Sequence, residues 1–191
     1  SLEDLRRQFD VNVFGAVAVT QAVLPHMRQR RAGRIINITS MGGLITLPSL
    51  SFYHGSKFAL EGLSEALGKE VKGFGIFVTA VEPGSFRTDW AGRSMNRAPR
   101  RIADYDALID PLREKRLAMS GKQLGDPAKL GEAVVKIANA ENPPAHLLLG
   151  SDARTLVDRK LSDLRAEYDA WNDLTLSTDF NDKASAGNSW A

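Results

Sequence analysis

Cysteine is absent from the 191 residues, which excludes disulfides, thiolate metal ligands and thiol nucleophiles. The absence agrees with a reducing compartment, and a cytoplasmic protein is expected. Histidine is nearly as scarce. His26, His54 and His146 are the three present, they are scattered along the chain, and no metal-ligand spacing joins them, so no metal is expected. Charge of one sign is also lacking: 25 Lys and Arg face 23 Asp and Glu, a net of +2. The densest basic cluster, Arg28, Arg30, Arg31 and Arg34, falls at the end of a predicted helix, where cations complement the dipole. Arg97 to Arg101 reads as a solvated loop, and no nucleic-acid partner is expected. The longest apolar stretch, Val11 to Leu24, is broken by Asn12, Thr20 and Gln21 and is too short to cross a bilayer. No signal-peptide pattern and no internal repeat is visible. Asn37-Ile38-Thr39 matches a glycosylation acceptor, but within a strand that should be buried.

What remains is an ordinary globular composition, 43% apolar over 191 residues, enough for one domain with a sizeable core. Ser1 and Asp4 open a helix that should run to about Arg31, with an interruption near Pro25. Arg34–Thr39 is short, β-branched and closed by Met41-Gly42-Gly43, the pattern of a buried strand leading into a loop. A second long helix should occupy Phe52 to Lys72 and end at Gly73. Ile76–Val81 reads as another buried strand. Phe86 to Gln123 is irregular, with a helical stretch around Asp104–Met119. Asp126-Pro127 starts a further helix, with Asp as cap and Pro in the first position. His146–Gly150 is a last short strand, and a helix from Ala153 to Leu174 follows, on which Val157, Leu161, Leu164, Tyr168 and Trp171 form one apolar face. Such alternation requires parallel strands joined by helical crossovers, hence an α/β, doubly wound sheet. Residues 1–179 are expected to form one domain and 180–191 a mobile polar tail.

The chemistry concentrates at Tyr53-His54-Gly55-Ser56-Lys57, with Ser40 thirteen residues upstream at a strand's carboxyl end, where open α/β sheets bind ligands. On a helix, Tyr53 and Lys57 stand at i and i+4 and share a face. A free tyrosine titrates near 10, and acid–base work at neutral pH asks for a depression of roughly three units, about 4 kcal/mol. One unit charge at about 4 Å supplies roughly that at an effective dielectric of about 20. The sequence thus predicts a Tyr53 phenol depressed by the Lys57 ammonium. Taken alone, the same spacing also describes a half-buried Tyr beside a solvated Lys.

These residues resemble the short-chain dehydrogenase/reductase family, and the resemblance covers nearly the whole chain in order. Phe9-Asp10-Val11-Asn12-Val13-Phe14-Gly15 is similar to the family's helix with its catalytic asparagine, Ile38-Thr39-Ser40 to its serine strand, and Tyr53 through Lys57 to its Tyr-x-x-Ser-Lys helix. Val81-Glu82-Pro83-Gly84-Ser85-Phe86-Arg87-Thr88 resembles its Pro-Gly cofactor motif. The family's opening strand, its Gly-x-x-x-Gly-x-Gly turn and its Asn-Asn-Ala-Gly segment have no counterpart here. The chain therefore reads as the C-terminal two-thirds of a Rossmann-like enzyme, with the N-terminal strands missing. The cluster Gly68, Gly73 and Gly75 lies between a helix and a strand and reads as a helix C-terminal turn.

The resemblance implies hydride transfer between NAD or NADP, undecided between the two, and a small carbonyl or alcohol substrate. It assigns Asn12, Ser40, Tyr53 and Lys57 to catalysis: Tyr53 as proton donor, Ser40 as hydrogen-bond donor to the developing oxyanion, Lys57 to the nicotinamide ribose, and Asn12 to a water linking Lys57 with solvent. Tyr53, Lys57, Pro83, Gly84, Phe86 and Thr88 would meet the cofactor, with Pro83 and Gly84 allowing close backbone approach and Thr88 bonding the carboxamide. Ser40, Ser85 and Trp90 would meet the substrate. A homodimer or homotetramer built on the two long helices is implied as well. Two other readings stay open: a non-catalytic binding or structural protein on the same fold, or a fragment inert without its N-terminal half, and a sugar epimerase or dehydratase sharing Tyr-x-x-x-Lys.

Overall fold

The computed structural model describes residues 1–92, 94–99 and 102–180. Ser1 caps the first helix, α1 (Leu2–Phe9), through a reciprocal box with Asp4: the Ser1 hydroxyl accepts from the Asp4 N–H at 3.2 Å, which satisfies an otherwise unpaired helix donor. A π-helical turn, Asp10–Phe14, joins α1 to α2 (Gly15–Arg30). The expected interruption at Pro25 is not found. Pro25 lies within α2, and the irregularity sits at Asp10–Phe14, an extra residue of winding that sequence periodicity does not announce.

Helix α2 stops at Arg31, which takes the left-handed conformation with φ 53°. Its backbone sits where a side chain on Gly75 would point, and Gly75 itself has φ +70°. Only glycine satisfies both conditions. The strands β1 (Gly33–Ile38), β2 (Ile76–Pro83) and β3 (His146–Leu149) form one parallel sheet in the order β1-β2-β3. Ile38 stands opposite Val81 and Ala80 opposite His146. Helix α3 (Ser51–Val71) is the crossover between β1 and β2, as the alternation requires. A core of Ile35, Val71, Ile76 and Val78, backed by Leu24, Met27, Leu67 and Phe74, locks α2 and α3 onto these strands.

Beyond β2, α4 (Asp106–Ala118) contains Pro111, and α5 (Pro127–Ala138) starts on an Asp126 cap whose side chain accepts from the Ala128 N–H at 2.9 Å, as its sequence predicts. Helix α6 (Ser151–Ala170) and α7 (Asn172–Leu176) divide at Trp171 the single helix expected from Ala153 to Leu174. Two compact units divide the chain, Ser1–Val157 and Asp158–Ala191. The first carries the sheet. In the second, Leu161, Tyr168 and Trp171 are exposed, so the apolar face anticipated there is buried only at Val157, in the first unit. The expected polar tail, apart from Phe180, lies outside the described residues.

Candidate active site

Three chain segments converge at the carboxyl ends of β1 and β2. Ser40 follows β1 and caps the short 3-10 turn Met41–Gly43, its hydroxyl accepting from the Gly42 N–H at 2.9 Å. It also lies by the Tyr53 phenol, whose proton affinity it lowers. Tyr53 comes from the first turn of α3. The Trp90 ring lies 5.3 Å from it, centroid to centroid, and the His54 ring meets it edge-on at 5.8 Å. Lys57 is one helical turn further on.

The electrostatics differ from the sequence expectation. Burial pushes the Tyr53 phenol above its usual value, with the neighbouring Ser40 hydroxyl opposing. Burial likewise holds the Lys57 ammonium below its usual value. Lys57 is engaged elsewhere: its Nζ, 6.0 Å from the Tyr53 ring centroid, donates to the Ile38 carbonyl at 2.9 Å, and it is not among the causes of the Tyr53 shift. Desolvation therefore outweighs the cation, because the cation is held by the end of β1. The site as it stands keeps Tyr53 protonated, the form a proton donor requires.

Asn12 comes from the π-helical turn, and its amide donates to the Ser56 hydroxyl at 3.0 Å, which in turn donates to the Tyr53 carbonyl at 2.8 Å. Asn12 is thus tied to the active-site helix through Ser56. Two histidine bonds fasten the serine loop to the same helix. His54, 4% exposed, has Nδ1 2.7 Å from the Gly42 carbonyl, while its Nε2 accepts from the Leu47 N–H at 2.8 Å. The neutral Nδ1–H tautomer satisfies both partners.

In the Pro83–Trp90 segment several residues also have structural partners within the chain. The space left by Gly84 is filled by Asp152 and Ala153 at the start of α6, and the Asp152 carboxylate accepts from the Ser85 N–H at 2.8 Å. A side chain on Gly84 would collide with the start of α6, so packing requires glycine here. Phe86 forms a bridge with Gly125, and its ring occupies the room that glycine leaves. The Thr88 hydroxyl caps a 3-10 turn, Asp89–Ala91, accepting from the Trp90 N–H at 3.4 Å. Trp90 alone of this segment is brought against Tyr53.

Sequence reasoning passed over three polar groups behind this site. Glu61, one turn beyond Lys57 on α3, and Glu82, on β2, are buried, and His146 opens β3. The His146 Nδ1 lies 2.8 Å from Glu82 and 3.5 Å from Glu61. Burial, reinforced by the Glu82 charge, pushes the Glu61 carboxyl up. The available signal was a Glu near the end of a largely apolar β2 and a second one at i+4 from Lys57.

A parallel α/β sheet with Ser, Tyr and Lys gathered at its strand ends is the arrangement of a dehydrogenase, and the short chain dehydrogenase family profile matches residues 1–98. The chain belongs to that family. It is 37% identical over 177 residues to the oxidoreductase BOA17 of Botryotinia fuckeliana, covering 93% of this chain and 64% of that protein. It is 39% identical over 162 residues to a 3-ketodihydrosphingosine reductase of Bacteroides thetaiotaomicron, covering 84% and 60% respectively. The crystal structure of a short-chain dehydrogenase from Streptomyces avermitilis superposes with a TM-score of 0.83 at 37% identity, over 94% of this chain and 64% of that one. The chain thus spans less than two-thirds of the length of these relatives. The relatives it matches are named as an oxidoreductase, a reductase and a dehydrogenase. Among the described residues no helix is long and apolar enough to cross a membrane.

Proposed function

We propose that the protein is an NAD- or NADP-dependent oxidoreductase that interconverts a carbonyl and an alcohol, with Tyr53 as the proton donor and acceptor. The observation that carries this reading is the meeting of Ser40, at the end of β1, with the Tyr53 phenol, whose proton affinity it lowers, and Lys57 one turn away on the same helix face. In the reducing direction the substrate oxygen gains charge, so a protonated phenol beside a hydroxyl donor stabilises the developing alkoxide and then protonates it. The donor set fits the nicotinamide riboside end of a dinucleotide. Lys57 gives one N–H to Ile38 and retains two for ribose hydroxyls. A bound nicotinamide supplies the hydride; this chain orients the oxygen and moves the proton.

Trp90 beside Tyr53 puts an apolar wall next to the phenol and favours a carbonyl with an apolar body. Relatives named as a 3-ketodihydrosphingosine reductase and as the retinol dehydrogenase 8 of Homo sapiens support that choice. The product of the complete gene, assayed with NADH or NADPH against long-chain ketones and aldehydes, should consume reduced nicotinamide. It should also fail to do so when Tyr53 is replaced by Phe. Equal turnover by the Phe variant would remove Tyr53 from the chemistry.

A further inference from the structure

We infer that Glu61, Glu82 and the His146 Nδ1 form a binding site for one zinc ion beneath the active-site helix. Parallel pairing brings the three together. Ala80 stands opposite His146, so Glu82, two residues on, points to the same face of the sheet as His146, and that face is the one α3 covers with Glu61. One ligand atom from each residue lies within 4.8 Å of the others, and the closest pairs are 2.8 Å and 3.5 Å. Tetrahedral zinc with bonds of about 2.0–2.1 Å places its ligand atoms roughly 3.3 Å apart. Small rotations of the carboxylates therefore suffice to admit the ion.

The second observation is the state of Glu61. It is 6% exposed, and neither carboxylate oxygen has a hydrogen-bond partner. Thr39, the nearest hydroxyl donor from β1's end, gives its proton to the Val81 carbonyl at 2.8 Å, and Lys57 gives one of its own to Ile38. Glu82 is 2% exposed. Two carboxylates are thus buried side by side against one imidazole, and the Lys57 ammonium, which also acts on Glu61, is held by the Ile38 carbonyl, a combination with room for a further cation. A dication on two carboxylates and a neutral imidazole is charge-balanced. Mixed nitrogen and oxygen donors, three in number with the fourth position open to water, suit zinc rather than calcium or magnesium, which want six or more oxygens. The His146 side chain, 43% exposed, provides the route in. The ion would pin α3, β2 and β3 to one another one turn below Lys57, a structural role separate from hydride transfer.

The 191-residue chain, stripped of metal by chelator and dialysed, is titrated calorimetrically with Zn²⁺, and in parallel with Co²⁺ to read the visible absorption of tetrahedral coordination. One ion per chain with that absorption is expected. Glu82→Gln and His146→Asn should each weaken binding at least tenfold, while His26→Asn, which changes an exposed histidine, should leave it unchanged. His146→Asn is half-exposed and leaves the core intact, so its result stands even if Glu82→Gln unfolds the chain. Stoichiometric binding insensitive to His146→Asn, binding lost with His26→Asn, or no binding at all, as for a carboxyl pair that merely shares a proton, would each overturn the assignment.

Discussion

Replacing His54 by Ala tests whether the serine loop is held to α3 by that one ring. The substitution removes both partners of the imidazole, leaving the Gly42 carbonyl and the Leu47 N–H unpaired. A buried polar group left unsatisfied costs about 1–3 kcal/mol. Gly42 is buried, so its carbonyl belongs at the upper end; Leu47 is exposed, so its N–H can recruit water and belongs at the lower end. The lost edge-on contact with Tyr53 adds a smaller amount. A loss of about 2–4 kcal/mol follows. With a urea slope of about 2 kcal/mol/M, the unfolding midpoint should drop by roughly 1–2 M. His54→Gln, which can keep one bond, should fall between. Equilibrium urea unfolding of the 191-residue chain, followed by circular dichroism, is the assay. A midpoint shift below about 0.3 M for His54→Ala would refute the reasoning, since it would mean that the loop holds its shape without the ring.

In the complete enzyme, Tyr53→Phe should lower turnover at least a hundredfold, about 2.7 kcal/mol in the barrier, with circular dichroism unchanged. Because burial raises the Tyr53 pKa, the folded chain keeps its phenol proton where the unfolded chain has begun to lose it; stability should therefore fall as pH rises above about 10, and fall less in Tyr53→Phe, as read from unfolding midpoints across that range. Gly75→Ala should destabilise by at least about 2 kcal/mol, from its positive φ and the Arg31 backbone in the way of a Cβ, and a neutral result in urea would contradict the geometry. The chain of 191 residues should bind NADH and NADPH only at millimolar concentration or weaker in calorimetry, because its sequence offers no glycine turn opening a helix for the pyrophosphate; micromolar binding would show that another segment does that work. Leu2, Val11, Phe14, Val19, Phe58 and Leu63 are exposed on the two long helical segments, and light scattering should find a dimer or larger assembly, a clean monomer counting against a two-fold interface there.

The order of helices and strands was legible because each strand is a β-branched run and each helix has a readable start, as at Ser1 and Asp126. Ser40, Tyr53 and Lys57 were legible because strand ends and helical spacing bring them together by construction. What escaped the sequence was direction and partnership. Nothing in the one-dimensional spacing says that Lys57 points to the Ile38 carbonyl instead of the phenol, and the sign of the Tyr53 shift turns on that choice. The Pro-Gly turn gave no sign that Asp152, 68 residues beyond Gly84, packs against it. Glu61 and Glu82 looked like isolated carboxylates because their meeting depends on strand register, which no local pattern encodes.

The π-helical turn at Asp10–Phe14 makes the first 30 residues sensitive to length more than to identity. One surplus residue is wound into the turn, so the helix before it and the helix after it are rotated by about 100° relative to an uninterrupted coil. Deleting Val11 or Val13 would let the segment relax into a continuous α-helix and swing everything on one side of the cut around the axis. Asn12 would then leave Ser56 while every side chain in the neighbourhood kept its chemistry. Substitutions scattered across the same five positions would preserve the winding, which makes this a place where a frame of spacing, rather than any single side chain, carries the information.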